Sequence, residues 1–404
     1  MAKIAVLGAG ILQNYIIDAI HAKGHTAVAF DGNAECKSIT RADEFVHLDF
    51  SDRESVLKEC ASRNISGILT YASDAAAPIV SYVAEKLSLP CNPFKSVEIL
   101  TDKAKTRTFL EENGFNVPKF KEVYSLEEGL EVSHEFEFPY IVKPIDGCGS
   151  RGFSKITCAD EIEGAIREAF SNSRKGVVIL EEFIERSGYF LEVECYLKDG
   201  EIFYFEPMYQ HRDEMAPYSP IGDSLPIDRR SINGKTYGEA DRFKIVKEEL
   251  QRIYKLLDMK YGIYNVEFVF DKDGKLYFME IAPRAGGNLI SEANYYATGF
   301  NMREALVSST LGEEFEAGFF LERKNVCCLL VHSDKNGVYS GYKLVEGFKG
   351  KVLHEEWFVK PGDEVYAFTN GKYGLGLLII EFQTREDMLE VMDNSREYVK
   401  VVLA

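Results

Sequence analysis

Glu267 and Glu280 each interrupt an otherwise apolar run, Asn265-Val-Glu-Phe-Val-Phe270 and Tyr277-Phe-Met-Glu-Ile281. A carboxylate inside an apolar strand is costly unless it is paired or holds a cation. Two of them on neighbouring strands suit Mg²⁺, which takes carboxylates together with phosphate oxygens. Arg284 follows, where a guanidinium either stabilises charge on a transferring phosphoryl group or closes a structural ion pair with Glu280. Lys143 ends another apolar run, Tyr140-Ile-Val-Lys-Pro144, and Gly147, Gly149, Ser150 and Gly152 follow it closely. Such a loop sets backbone N–H groups against phosphate oxygens with the lysine as a point charge, or it is a glycine-rich hairpin turn. It is not a Walker A loop, because the lysine precedes the glycines and no Gly-Lys-Ser/Thr occurs. Gly8-Ala-Gly10 after a first strand, with Asp31 closing a second, mimics the dinucleotide fingerprint of an NAD-dependent dehydrogenase. Gln13, however, stands where that fingerprint needs its third glycine for close helix–strand packing.

The scaffold that must position these groups is large. Its 404 residues exceed what one core usually holds, so two to four domains are expected. Hydrophobic residues make up 46% and charged residues 28%, which excludes disordered, collagen-like and coiled-coil chains. The formal net charge of −18 repels polyanions and argues against nucleic acid and anionic membranes as partners, though not against small anions held by local cations. No run approaches the roughly 18 apolar residues of a membrane span, and the first residues read as a strand, not a signal peptide. Eight cysteines without a C-x-x-C spacing are simplest as reduced thiols, so a cytoplasmic protein is expected.

Strands alternate with helices in the first ninety residues, which predicts βαβ units and a parallel sheet; Leu89-Pro-Cys-Asn-Pro-Phe94 then breaks the pattern. Downstream, Asp199-Gly200 and Asp273-Gly274 sit between alternating runs and predict two hairpins. After Leu311 short strands and Gly turns dominate. The expected architecture is α/β and α+β multidomain, with boundaries at 1–95, 96–310 and 311–404, the last a small β-rich domain.

Read in order, Gly8-Ala-Gly10, Thr101-Asp-Lys103, Val142-Lys-Pro144, Gly147 to Gly152, Glu181-Glu-Phe-Ile184, Glu267 and Glu280-Ile-Ala-Pro-Arg284-Ala-Gly-Gly287 resemble the ATP-grasp superfamily. The likeness is to its branch of carboxylate–amine ligases and biotin-carboxylase-like enzymes, and covers about residues 1–310. It implies a Rossmann-like N-terminal domain that helps bind substrate without binding NAD, then a two-lobed ATP-grasp domain with a lid over about 118–182. By the same resemblance Lys103 and Lys143 hold nucleotide phosphates, and Gly147, Gly149, Ser150 and Gly152 form the flexible lid loop. Glu181, Glu182, Phe183 and Ile184 are the adenine-reading hinge. Glu267 and Glu280 match metal ligands, and Arg284 the catalytic arginine.

Two positions depart from the pattern. Ala282 replaces an asparagine that is usually a third metal contact, leaving water or Asn288 to compensate. Phe190 stands where an acid usually binds the ribose, although Glu192 and Glu194 are near and Glu192 is the candidate. The implied activity joins a carboxylate to an amine through an acyl phosphate, with ATP and Mg²⁺ (Mn²⁺ as a substitute), in a possible homodimer. Enzymes of the phosphoribosylglycinamide synthetase type, which act on phosphoribosylamine and glycine, and of the L-amino-acid ligase type are the two substrate classes. His211-Arg212-Asp213 and Arg229-Arg230 lie where acceptors often bind, the arginine pair reading equally as a solvated loop. Cys148 is a spacer in the lid loop. A silent ATP-binding sensor, suggested by Ala282, and the dehydrogenase remain as alternatives from other classes.

Overall fold

The computed structural model describes residues 1–147, 151–186, 188–227 and 239–404. Strands β1 (Lys3–Leu7), β2 (Thr26–Asp31), β3 (Glu44–His47) and β4 (Gly67–Leu69) form a parallel sheet in the order β3-β2-β1-β4. Parallel neighbours need crossovers; the helix Gln13–Ala22 links β1 to β2 and the helix Arg53–Ser62 links β3 to β4. Gly8 takes a φ of 99° at the first turn, and the Ala9 amide donates to Asp31 Oδ2 at 2.8 Å. Gln13 is buried, donates from Nε2 to the Tyr71 carbonyl at 2.7 Å, and fills the space where a third glycine would open the loop.

A second, antiparallel sheet contains β5 (Phe120–Val123), β6 (Tyr140–Pro144), β7 (Ser154–Ile156) and β8 (Val178–Glu182), ordered β5-β8-β6-β7. Its inner face packs on the helices Leu126–Ser133 and Ile162–Ser171 through Val142, Leu180, Ile166 and their neighbours. This small core is a cluster of its own, distinct from those of the other sheets.

The main sheet begins with β9 (Phe190–Lys198), β10 (Glu201–Arg212), β11 (Pro220–Leu225), β12 (Gly262–Phe270) and β13 (Leu276–Ala282). Both D-G hairpins form, β9 on β10 and β12 on β13; Asp199 and Gly200 have φ of 52° and 82°, as a type I′ turn requires. The later strands are β14 (Asn325–Val331), β15 (Gly337–Leu344), β16 (Gly350–Trp357), β17 (Glu364–Val365), β18 (Gly376–Phe382) and β19 (Val399–Leu403). Three of them extend the main sheet to eight, ordered β13-β12-β9-β10-β11-β14-β18-β16, and the other three form a separate small sheet, β17-β15-β19. The β11 edge would otherwise present unpaired backbone groups, and β14 satisfies it. At that seam Gly222 has a φ of 146°, and a Cβ there would lie 1.9 Å from the Cys328 carbonyl oxygen, so only glycine fits. Cys327 and Cys328 are buried in β14 as free thiols. Among the described residues no helix is long and apolar enough to cross a membrane.

Candidate active site

The helix Lys103–Glu112 turns Ala104, Arg107 and Leu110 inward at helical spacing, so one full charge enters an apolar face. Arg107 is fully buried. Its Nε donates to Glu181 Oε2 at 2.9 Å and its Nη2 to Glu181 Oε1 at 3.4 Å. Nη1 and Nη2 also donate to the carbonyls of Phe278 and Met279, at 3.1 and 2.9 Å. On the neighbouring strand β6, Lys143 Nζ donates to Glu181 Oε1 at 2.7 Å. Burial alone would raise the Glu181 carboxyl, but Arg107 and Lys143 outweigh it and pull it down to about 2. The Lys143 ammonium is lowered from its ordinary value, chiefly by burial. One guanidinium thus ties the sheet of β5 to β8 to the main sheet.

Glu267 and Glu280 face each other directly across the β12–β13 ladder, and the register shifts immediately afterwards, leaving Met279 as the extra residue of a bulge. Bulges of this kind re-aim side chains beside functional sites. Both carboxyls are raised, first by burial; Glu192 adds to the rise at Glu267, while Lys103 opposes it at Glu280. Such a pair is stabilised by a cation between the two oxygen sets. Hard carboxylate donors beside a phosphate-sized cleft fit Mg²⁺, which keeps waters and needs few protein ligands. Among the described residues no group of three or more acids, histidines or cysteines converges as a metal cage.

Arg284 makes a bidentate pair with Asp74, Nε to Oδ1 at 2.8 Å and Nη2 to Oδ2 at 2.9 Å, and lies 3.7 Å from Glu280. Asp74 comes from the loop after β4, so the N-terminal sheet reaches this centre. Ala282 is buried and contributes no ligand, but Asn265 lies directly opposite it in the ladder. The Asn265 amide is engaged, accepting from Arg284 Nη1 at 3.3 Å and donating to Glu192. Glu192 also accepts from Gln210 at 2.7 Å, so its carboxylate lies within a buried polar network.

The cleft between the sheet of β5 to β8 and the main sheet gathers Lys103, Lys143, Gly147, Glu181, Glu182, Phe183, Ile184, Glu267 and Glu280 along its walls. Lys103 Nζ donates to the Gly147 carbonyl at 2.7 Å. The Glu182 side chain is exposed and accepts from the Lys119 amide at 3.0 Å. Gly152 has a φ of 67°. Arg284 lies outside this cleft wall and borders an adjoining cavity. Gly149 and Ser150, with Cys148, Arg229 and Arg230, lie outside the described residues. Arg212 lines the cleft, whereas His211 and Asp213 face away. His211 bonds Asp393 and Ser224, and Asp213 bonds His332 and Arg396. Strand alternation separates His211 from Arg212, and Asp213 follows the end of β10.

Residues 108–287 match the family model described as the ATP-grasp domain. That stretch is an ATP-grasp domain. Across the whole chain the fold is that of the L-amino acid ligase from Bacillus licheniformis, with a TM-score of 0.83, 20% identity and coverage of 100% of this chain and 99% of that one. Phosphoribosylglycinamide synthetase from Anaerococcus prevotii gives 0.75 at 20% identity, with 100% of both chains covered. The carbamoyl phosphate synthase large chain of Clostridium perfringens is 26% identical over 302 residues, 70% of this chain but 27% of its own. The chain therefore spans about a quarter of the length of that relative.

Three residues of this centre, Arg107, Asp74 and Asn265, escaped the sequence reading. Arg107 left a visible signal, a charge three residues from buried Ala104 and Leu110 on either side. Asp74, which is 210 positions from Arg284, left none. Glu194, close to the candidate ribose acid, is instead fully buried, accepts from the Gly286 amide at 2.7 Å, and is pushed up to about 8 by burial.

The folded state therefore keeps a Glu194 proton that the unfolded chain, at an ordinary 4.5, releases. Stability contributed here is full below about pH 4.5 and declines as pH rises toward 8. Glu194→Gln keeps the neutral acceptor. Its stability gain over wild type is expected to be near zero at pH 5 and about 3–5 kcal/mol at pH 8.5, read from urea midpoints. A gain that does not change with pH would refute the assignment.

Proposed function

We propose that this chain is an ATP- and Mg²⁺-dependent ligase that joins a carboxylate to an amine and releases ADP and phosphate. The observation that carries this reading is one cleft lined by two lysines, an ion-paired hinge acid and a facing pair of strand glutamates. In it Lys103 and Lys143 hold the phosphates, with Lys143 aimed by Glu181 and Arg107. The backbone of Glu182 to Ile184 reads the adenine edge, and the glycines at 147 to 152 close over the phosphates as a lid. Glu267 and Glu280 would hold Mg²⁺, or Mn²⁺ in its place, which neutralises charge between phosphate oxygens. The domain boundaries at 95 and 310, the lid over 118–182 and a cytoplasmic, homodimeric state belong to the same reading.

The substrate carboxylate attacks the γ-phosphorus; the β–γ bridging bond breaks, and ADP leaves with an acyl phosphate formed. The amine nitrogen then attacks the acyl carbon, phosphate departs, and the amine proton is lost. Arg284, held by Asp74 until substrate arrives, offsets the charge of two anions brought together. The lid excludes water from the acyl phosphate.

Phosphoribosylamine with glycine is the leading pair, and two L-amino acids come second, on the whole-chain likeness to an L-amino acid ligase. A screen of acids and amines for ADP release, with mass detection of the amide, tests both. ATP binding without turnover on any pair would favour the sensor. Saturable NAD binding without ATP binding would end the ligase proposal, although Asp31 is already engaged by the Ala9 and Asn33 amides.

A further inference from the structure

Phe190, which replaces the usual ribose acid, carries two cations. The Arg212 guanidinium lies 3.4 Å from its ring centroid and that of Arg186 3.8 Å. All three line the cleft. Arg212 donates to Gln210 Oε1 from Nε at 3.2 Å and from Nη2 at 2.5 Å. The Nε of Arg186 is buried and has no hydrogen-bond partner among the described residues. Nor does either arginine form an ion pair with an acid among them. Burial lowers both guanidiniums, Arg212 to about 10.

Two like charges stacked about one ring repel, and their desolvation adds to the cost. The aromatic face returns only part of it. Glu267, Glu192 and Asp223 favour the charge on Arg212, whereas at Arg186 the favouring group among the described residues is the Tyr218 hydroxyl. An incoming anion offsets that imbalance, and ribose hydroxyls do not.

We infer that Arg186 and Arg212, stacked on Phe190, form an anion subsite that takes an oxyanion group, phosphate or carboxylate, at this end of the cleft. The inference rests on the nucleotide reading of the cleft and adds a recognition element to it. The oxyanion comes either from the nucleotide's own phosphates or from a second, anionic substrate.

Calorimetric titration of wild type, Arg186→Gln and Arg212→Gln with ADP, with adenosine, and with inorganic phosphate in the presence of ADP tests this. Each variant is expected to weaken ADP or phosphate about tenfold, the size of one charge-assisted contact, and to leave adenosine unchanged. Loss confined to ADP assigns the anion to the nucleotide; loss confined to phosphate assigns it to the second substrate. Arg186→Lys, which keeps the charge but not the planar fork, is expected to lie between, and it serves should the glutamine variants fail to fold. ADP and phosphate affinities unchanged in every folded variant would overturn the inference alone. No ADP binding by wild type would instead overturn the nucleotide reading, and the phosphate arm then decides the subsite.

Discussion

Replacing Arg107 by alanine is expected to remove about 3–5 kcal/mol of stability, the cost of breaking a buried charge pair by deleting one partner. Its guanidinium serves three acceptors at once, the Glu181 carboxylate and the carbonyls of Phe278 and Met279. Without it Glu181, which is fully buried, keeps only Lys143, and two carbonyls lose their donor. Arg107→Lys should recover little, because an ammonium on a flexible stem cannot span three acceptors as a planar fork does. Urea denaturation measures the loss, and a cost below about 1 kcal/mol would show that the network is incidental.

The same network predicts acid sensitivity. Glu181 sits at about 2 when folded against an ordinary 4.5, so its contribution is present above 4.5 and is lost as pH falls toward 2. Arg107→Ala should flatten that part of the stability profile.

The second large effect is on turnover. Glu280→Gln is expected to lower acid-dependent ADP formation by about a hundredfold or more, by the scale set when one preorganised electrostatic contact is lost. It should do so without loss of stability, because it removes one charge from a carboxyl pair that burial already disfavours. Lys143→Ala should have a comparable kinetic effect with modest structural cost, since Arg107 still holds Glu181. A structural role for Glu280 predicts the reverse split, with a lower urea midpoint and turnover retained in the folded fraction. Partial recovery of Glu280→Gln at raised Mg²⁺ would tie the loss to the metal, whereas full activity in both variants would refute the site.

The parts of this protein legible in its residue order are those set by local rules. The two D-G hairpins follow from turn chemistry and alternation within about ten residues, and the second of them puts Glu267 beside Glu280. The parallel N-terminal sheet follows from the strand–helix alternation. The cost of an acid in an apolar strand marked both glutamates before any partner was known.

What only the tertiary structure decided lies at long separations. Arg107 shows in sequence only as a charge spaced between apolar positions; its partners on β8 and β13 lie 74 and about 171 residues on. Asp74 meets Arg284 because the N-terminal sheet packs against the end of β13, and no periodicity within either segment encodes that approach. Three of the strands after Leu311 join the main sheet because β11 has an open edge and a glycine at which β14 can come close. Residue type and short spacing determined which groups need partners. Packing decided which partners they received, because the desolvation cost that makes a pair obligatory exists only once the chain has closed around it.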